Sequence, residues 1–136
     1  MTCFWNGIIN SLAYNDLEIL DIKSKNIYNL IDSLKNKNCE YTGVKWQNNV
    51  INRHQINENI EHIKCYDKNT AGQGYLCSTC DPFLILLSYL LKIDIIHNYC
   101  GNIIKYTNNN SSKCFYYKSN SGHFWFEKTK KLIDII

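Results

Sequence analysis

The chain has no apolar run long enough to cross a bilayer. Its longest, Phe83 to Leu91, is interrupted by Ser88 and Tyr89, whereas a membrane span needs about 20 residues. Its start, Met1-Thr-Cys-Phe-Trp-Asn6, lacks the basic residues and continuous apolar stretch of a secretory signal, so export is not expected. Lysine is scattered along the length rather than gathered in a run, and the formal charge is only +3. Electrostatics alone therefore implies no nucleic-acid partner, and none is expected. A second C-x-x-C and a paired-histidine motif are also missing, and no internal repeat is present. Proline occurs once, at Pro82.

What is present suits one domain spanning residues 1–136. A hydrophobic fraction of 45% with 13% aromatics supplies enough apolar surface for a core, which excludes disorder of the whole chain. The cysteine count is seven, an odd number without an export signal, so reduced thiols in an intracellular, reducing, cytoplasmic setting are expected. A single copy in solution, with no cofactor and no bound metal, is the simplest state.

Helical periodicity comes first along the chain. Cys3 heads an apolar pattern through Phe4, Ile8, Ile9 and Leu12. Ile27, Leu30, Ile31 and Leu34 repeat the same spacing behind Ser24 as a cap. A short extended piece is expected over 41–46, and a third, shorter helix around Ile56, Ile60 and Ile63. The stretch 67–80 reads as a loop. Asp81 as N-cap with Pro82 at the first helical position then starts a helix that is apolar nearly all round, the buried centre of the fold.

After Lys92 the code changes to strand: Ile93–Ile96, Asn102–Tyr106, Lys113–Tyr117 and His123–Phe126. Turn chemistry separates them, Cys-Gly-Asn, Asn-Asn-Asn-Ser-Ser and Ser-Asn-Ser-Gly, as expected for reversals between antiparallel strands. Helices followed by strands predict an α+β domain, its N-terminal helices packed on a small, mostly antiparallel C-terminal sheet.

Two residues carry chemistry in this layout. Cys3 opens a helix, whose N-terminus favours an anionic sulfur. His123 follows a tight turn and leads a strand, which would hold its imidazole on a rigid edge. A thiol and an imidazole from distant parts of a chain are the parts of a nucleophilic hydrolase. His54, His62 and His97 read as surface or structural. Cys77-Ser-Thr-Cys80 has the spacing of a zinc knuckle, with Cys65, Cys100 or Cys114 to complete it, although the last two fall in the sheet region.

Cys3-Phe4-Trp5-Asn6-Gly7-Ile8 and Gly122-His123-Phe124, with the loop, central helix and strands between them, resemble the OTU (ovarian-tumour) cysteine proteases. These are papain-like deubiquitinases, and the likeness is to the compact forms of large DNA viruses. It covers nearly the whole chain. The abundance of Ile, Asn and Lys suits an AT-rich genome of that kind. The resemblance implies a papain-like OTU fold and a thiol isopeptidase that cleaves after the C-terminal glycine of ubiquitin or a ubiquitin-like modifier. Cys3 would be the nucleophile and His123 the general base and acid, with the Cys3 backbone N–H one oxyanion donor. Ubiquitin conjugates would be the partners, in the host cytoplasm if the protein is viral.

In that family an aspartate and an oxyanion-hole loop precede the cysteine, where this sequence has Met1 and Thr2. The position two after the histidine, which orients the imidazole in the family, holds Trp125, which accepts no hydrogen bond. Glu127 shares the strand face of His123, but four residues at ~3.3 Å put it ~13 Å away. Asn120 and Asn102 remain as candidates to orient the ring. The alternatives are a catalytically weak OTU-like module that binds ubiquitin or a host protein, and a small zinc-stabilised binding protein built on Cys77 and Cys80.

Overall fold

A computed structural model describes residues 3–73 and 80–131. In chain order these form α1 (Cys3–Ser11), α2 (Tyr14–Ile19), α3 (Ile27–Asn36), β1 (Val44–Trp46), β2 (Asn49–Val50), α4 (Arg53–Cys65), a 3-10 turn (Lys68–Gln73), α5 (Asp81–Leu91), β3 (Asp94–Tyr99), β4 (Asn102–Asn108), β5 (Lys113–Ser119) and β6 (Phe124–Lys131). The strands make one six-stranded sheet in the order β2-β1-β4-β3-β5-β6. Every pairing is antiparallel except β3 with β5.

One face of this sheet and the helices laid on it form the core. Alternation along the strands buries Ile95 and His97 of β3, Ile104 and Tyr106 of β4, Phe115, Tyr117 and Ser119 of β5, and Phe124 of β6. The pairing places these side chains in register on one face. Helix α5 covers the β1–β4–β3 side and α1 the β6 side. As the apolar run predicts, α5 is the buried centre, with Phe83, Leu84, Ile85, Leu86 and Leu87 each at most 3% exposed.

Several expectations about caps and connections are corrected. The cap of α3 is Asn26, whose Oδ1 accepts from Tyr28 N and Asn29 N, while Ser24 lies two residues upstream and contributes a backbone carbonyl to the turn. Asp81 is the first residue of α5, not its cap. Cys80 takes that place in the left-handed region (φ 64°), which leaves the Asp81 carboxylate to accept a hydrogen bond from the Tyr106 hydroxyl. Helix α4 has thirteen residues, longer than α3, because Asn52 and Gln55 cap it reciprocally well before Ile56.

The turn after β4 does not return the chain beside β4. It carries β5 past the end of β3, where Ser112 N bonds to Lys92 O, and β5 pairs with β3 in parallel. Polar turn residues signal a reversal of direction but not which neighbour the next strand joins. The β1–β2 hairpin also joins the sheet from between two helices, so helices and strands are less segregated along the chain than their order suggests.

Helix α2 is a separate element that the sequence reading passes over. Its first turn is closed by the Asp16 carboxylate, which accepts from Ala13 N and from Lys113 Nζ, the latter at 2.8 Å to both oxygens. Asp16 is 1% exposed and the Lys113 side chain 15%, so this is a buried ion pair tying α2 to β5. Lys113→Met leaves the carboxylate buried without its cation. A loss of about 3–5 kcal/mol in chemical denaturation is expected.

Candidate functional site

Cys3 and His123, 120 positions apart in sequence, meet with the Cys3 Sγ 3.6 Å from the His123 Nδ1. Cys3 is the first residue of α1 and is half-buried; His123 is exposed and directly precedes β6. The juxtaposition follows from their immediate neighbours. Phe4 and Phe124 are both buried, with ring centroids 4.9 Å apart. Phe124 is held in turn by Tyr117, stacked at 5.1 Å, and by His97 at 5.3 Å. Each reactive residue is therefore one peptide unit from an aromatic ring locked in the core.

Gly7 makes the approach possible. It lies one helical turn beyond Cys3, and a Cβ built there would stand 2.6 Å from Phe124 Cδ1, 2.9 Å from Cε1 and 3.5 Å from the Cα of Trp125. Only a residue without a side chain lets α1 lie this close to β6. A second tie fixes the far end of α1: Ser11 donates to Ile8 O, so the buried Tyr117 hydroxyl donates to Ser11 Oγ at 2.6 Å. Sequence reading missed Gly7 as a site residue. Its signal was an isolated glycine inside a helix, where it costs about 1 kcal/mol relative to alanine without a packing reason.

The turn that presents His123 is built by Asn120. Its Oδ1 accepts from Gly122 N and His123 N, both at 2.9 Å, and its backbone N–H donates to His123 O. Asn120 thus positions the backbone of the histidine; as an orienter of the ring it is corrected, because its acceptor is already engaged. Asn102 is corrected on distance. It shares a cross-strand row with Tyr99, Ser119 and Phe124, and three strand spacings of ~4.8 Å leave it ~14 Å away. Glu127 pairs with Lys118 at 3.4 Å. Among the described residues, His123 Nε2 has no hydrogen-bond partner. Asn120→Ala removes two charge-neutral bonds and is expected to cost about 1–2 kcal/mol in a thermal melt. Asn120→Asp keeps the acceptor and should restore most of it.

The other histidines fall where the sequence reading put them. His54 pairs with Glu58 at 2.8 Å on the surface of α4, His62 lies against Phe83, and His97 is fully buried with Nε2 2.6 Å from Ser119 Oγ. Cys77 lies outside the described residues. Among the described residues no group of three or more His, Cys, Asp or Glu is placed to hold a metal ion. Cys100, at the β3–β4 turn, and Cys114, beside Asp94, lie at opposite ends of β3, so they do not complete one ligand set. Burial and the nearby Asp94 carboxylate push the Cys114 thiol up to about 11, which keeps it protonated and unreactive. No described helix is long and apolar enough to cross a membrane.

A thiol at a helix start within reach of an imidazole can exchange a proton and attack an electrophilic carbonyl. Compared with protein-family models, curated proteins and solved structures, the chain finds no match.

Proposed function

We propose that the protein is a cysteine protease of the OTU type, a deubiquitinase with a papain-like fold. It would hydrolyse the bond after the C-terminal glycine of ubiquitin or a ubiquitin-like modifier. The observation that carries this reading is the 3.6 Å approach of Cys3 Sγ to His123 Nδ1, from a helix start and a strand head, on a domain with helices against a mostly antiparallel sheet. The motif likeness Cys3-Phe4-Trp5 and Gly122-His123-Phe124 supplies the substrate class.

In the reaction, His123 Nδ1 takes the Cys3 proton and the thiolate attacks the glycine carbonyl carbon. The backbone N–H of Cys3, at the start of α1, would offer the tetrahedral oxyanion one donor. The C–N bond then breaks, the lysine amine leaves with the proton from His123, and a thioester remains on Cys3. Water, deprotonated by His123, attacks that thioester and releases the glycine carboxylate and the thiol. The work belongs to an intracellular, reducing setting, since it needs a reduced Cys3.

A second reading, an OTU-like ubiquitin-binding module with weak catalysis, is favoured by one observation: His123 Nε2 lacks an orienting partner among the described residues. Release of a fluorogenic amine from the C-terminus of ubiquitin decides between them. Turnover that disappears in Cys3→Ala supports the protease; ubiquitin binding without turnover supports the module; absence of both turnover and binding removes ubiquitin as the partner.

A further inference from the structure

The face of the sheet turned away from the helices is open among the described residues, and strand register gathers on it what the sequence scatters. Side chains of alternate parity to the core point to this side. Three cross-strand rows result: Lys45, Thr107, Asp94, Cys114 and Lys130; then Lys105, Ile96, Tyr116 and Lys128; then Ile103, Asn98, Lys118 and Trp125. Lys45, Lys105, Lys128 and Lys130 are exposed and form no ion pair among the described residues. The two carboxylates nearby are already engaged, Asp94 by Asn108 N and Glu127 by Lys118. Aromatic surface lies among these cations. Trp125 is 41% exposed, and Tyr116 carries the ammonium groups of Lys128 and Lys130 over its ring at 5.0 and 5.7 Å.

Protection of a sheet edge explains lysines on β6, the outer strand, but not Lys105 on β4 or Lys118 on β5, which are interior strands. We propose that this open face binds single-stranded nucleic acid, with phosphates on Lys45, Lys105, Lys128 and Lys130 and a base stacked on Trp125. A flat, basic platform with an exposed ring is the chemistry that single strands use. Duplex fits less well, because five strands at ~4.8 Å make a surface ~19 Å across, wider than the ~12 Å major groove. An acidic peptide adding as a strand would take a sheet edge rather than this face. An anionic membrane would need contiguous apolar anchors, and the exposed Ile103 and Trp125 stand three strands, ~14 Å, apart.

The site is separate from Cys3, so its test does not depend on the proposed protease. Fluorescence anisotropy with a labelled 20-nucleotide oligouridine, from 50 to 200 mM salt, should give saturable binding. Four phosphate contacts predict a slope of log affinity against log salt of about −2.8. Joint Lys105→Glu and Lys128→Glu should weaken binding at least tenfold and bring the slope to about −1.4 or flatter. The pair Lys45→Glu and Lys130→Glu serves the same purpose if circular dichroism finds the first variant unfolded. Trp125→Ala should weaken binding about fivefold or more with the slope unchanged. The proposal is overturned by absence of binding at 50 mM salt, by full binding in both folded charge-reversal variants, or by equal affinity for oligoglutamate or phosphatidylserine vesicles.

Discussion

His123→Ala is expected to lower turnover of a ubiquitin C-terminal amide by about 10²–10⁴-fold while leaving the melting temperature nearly unchanged. The magnitude is that of a positioned general acid–base group, and the leaving amine in particular needs its proton from the Nδ1 that faces Cys3. Stability should hold because the ring is exposed and its partner in the described structure is the thiol. The backbone N–H of residue 123 keeps its bond to Asn120 whatever the side chain. Turnover measured beside a thermal melt checks both halves. A variant that retains more than a tenth of wild-type turnover would remove His123 from the mechanism.

Gly7→Ala is expected to lower stability and turnover together, against the usual effect of that substitution in a helix. Helix propensity alone predicts a gain of about 1 kcal/mol. The new methyl, however, would stand 2.6 Å from the Phe124 ring, and that ring is enclosed by Phe4, Tyr117 and His97. It has no room to yield. Overpacking of this kind costs about 1–3 kcal/mol, so the net change is destabilising or near zero. The larger consequence is geometric: relief of the clash moves α1 away from β6 and carries Cys3 from His123. Displacement of about 1 Å in a reacting pair costs ~10²-fold in rate. Denaturant unfolding and turnover of the variant test this. A stabilised, fully active Gly7→Ala protein would show that close packing at Gly7 does not set the Cys3–His123 distance.

Much of this architecture is legible in sequence because local rules and tertiary packing agree. The strands expected over 93–96, 102–106, 113–117 and 123–126 correspond to β3, β4, β5 and the first half of β6, and one face of them is buried. The helix after Pro82 is buried because Ser88 and Tyr89 are its only polar side chains between Phe83 and Leu91. Cys3 and His123 are legible because a helix start and a strand head are local features. The elements that sequence hides are those decided between segments. Parallel entry of β5 beside β3 depends on where a turn delivers the strand, which turn residues do not encode. The cap of α3 falls to Asn26 because its Oδ1 lies one residue before the helix, a placement that periodicity resolves only to within a residue or two. Gly7 is ordinary until Phe124 is seen above it, and Asn120 offers the same amide to a ring or to a backbone until the turn is built.

The most direct test of the Cys3–His123 centre is the intact mass of the protein after incubation with ubiquitin bearing a C-terminal propargylamide. Cys3→Ala and His123→Ala, each checked for folding, are run in parallel. One ubiquitin adduct on wild type, none on Cys3→Ala and a slowed one on His123→Ala is the predicted result. An adduct that persists in Cys3→Ala, or no adduct on folded wild-type protein, would contradict it.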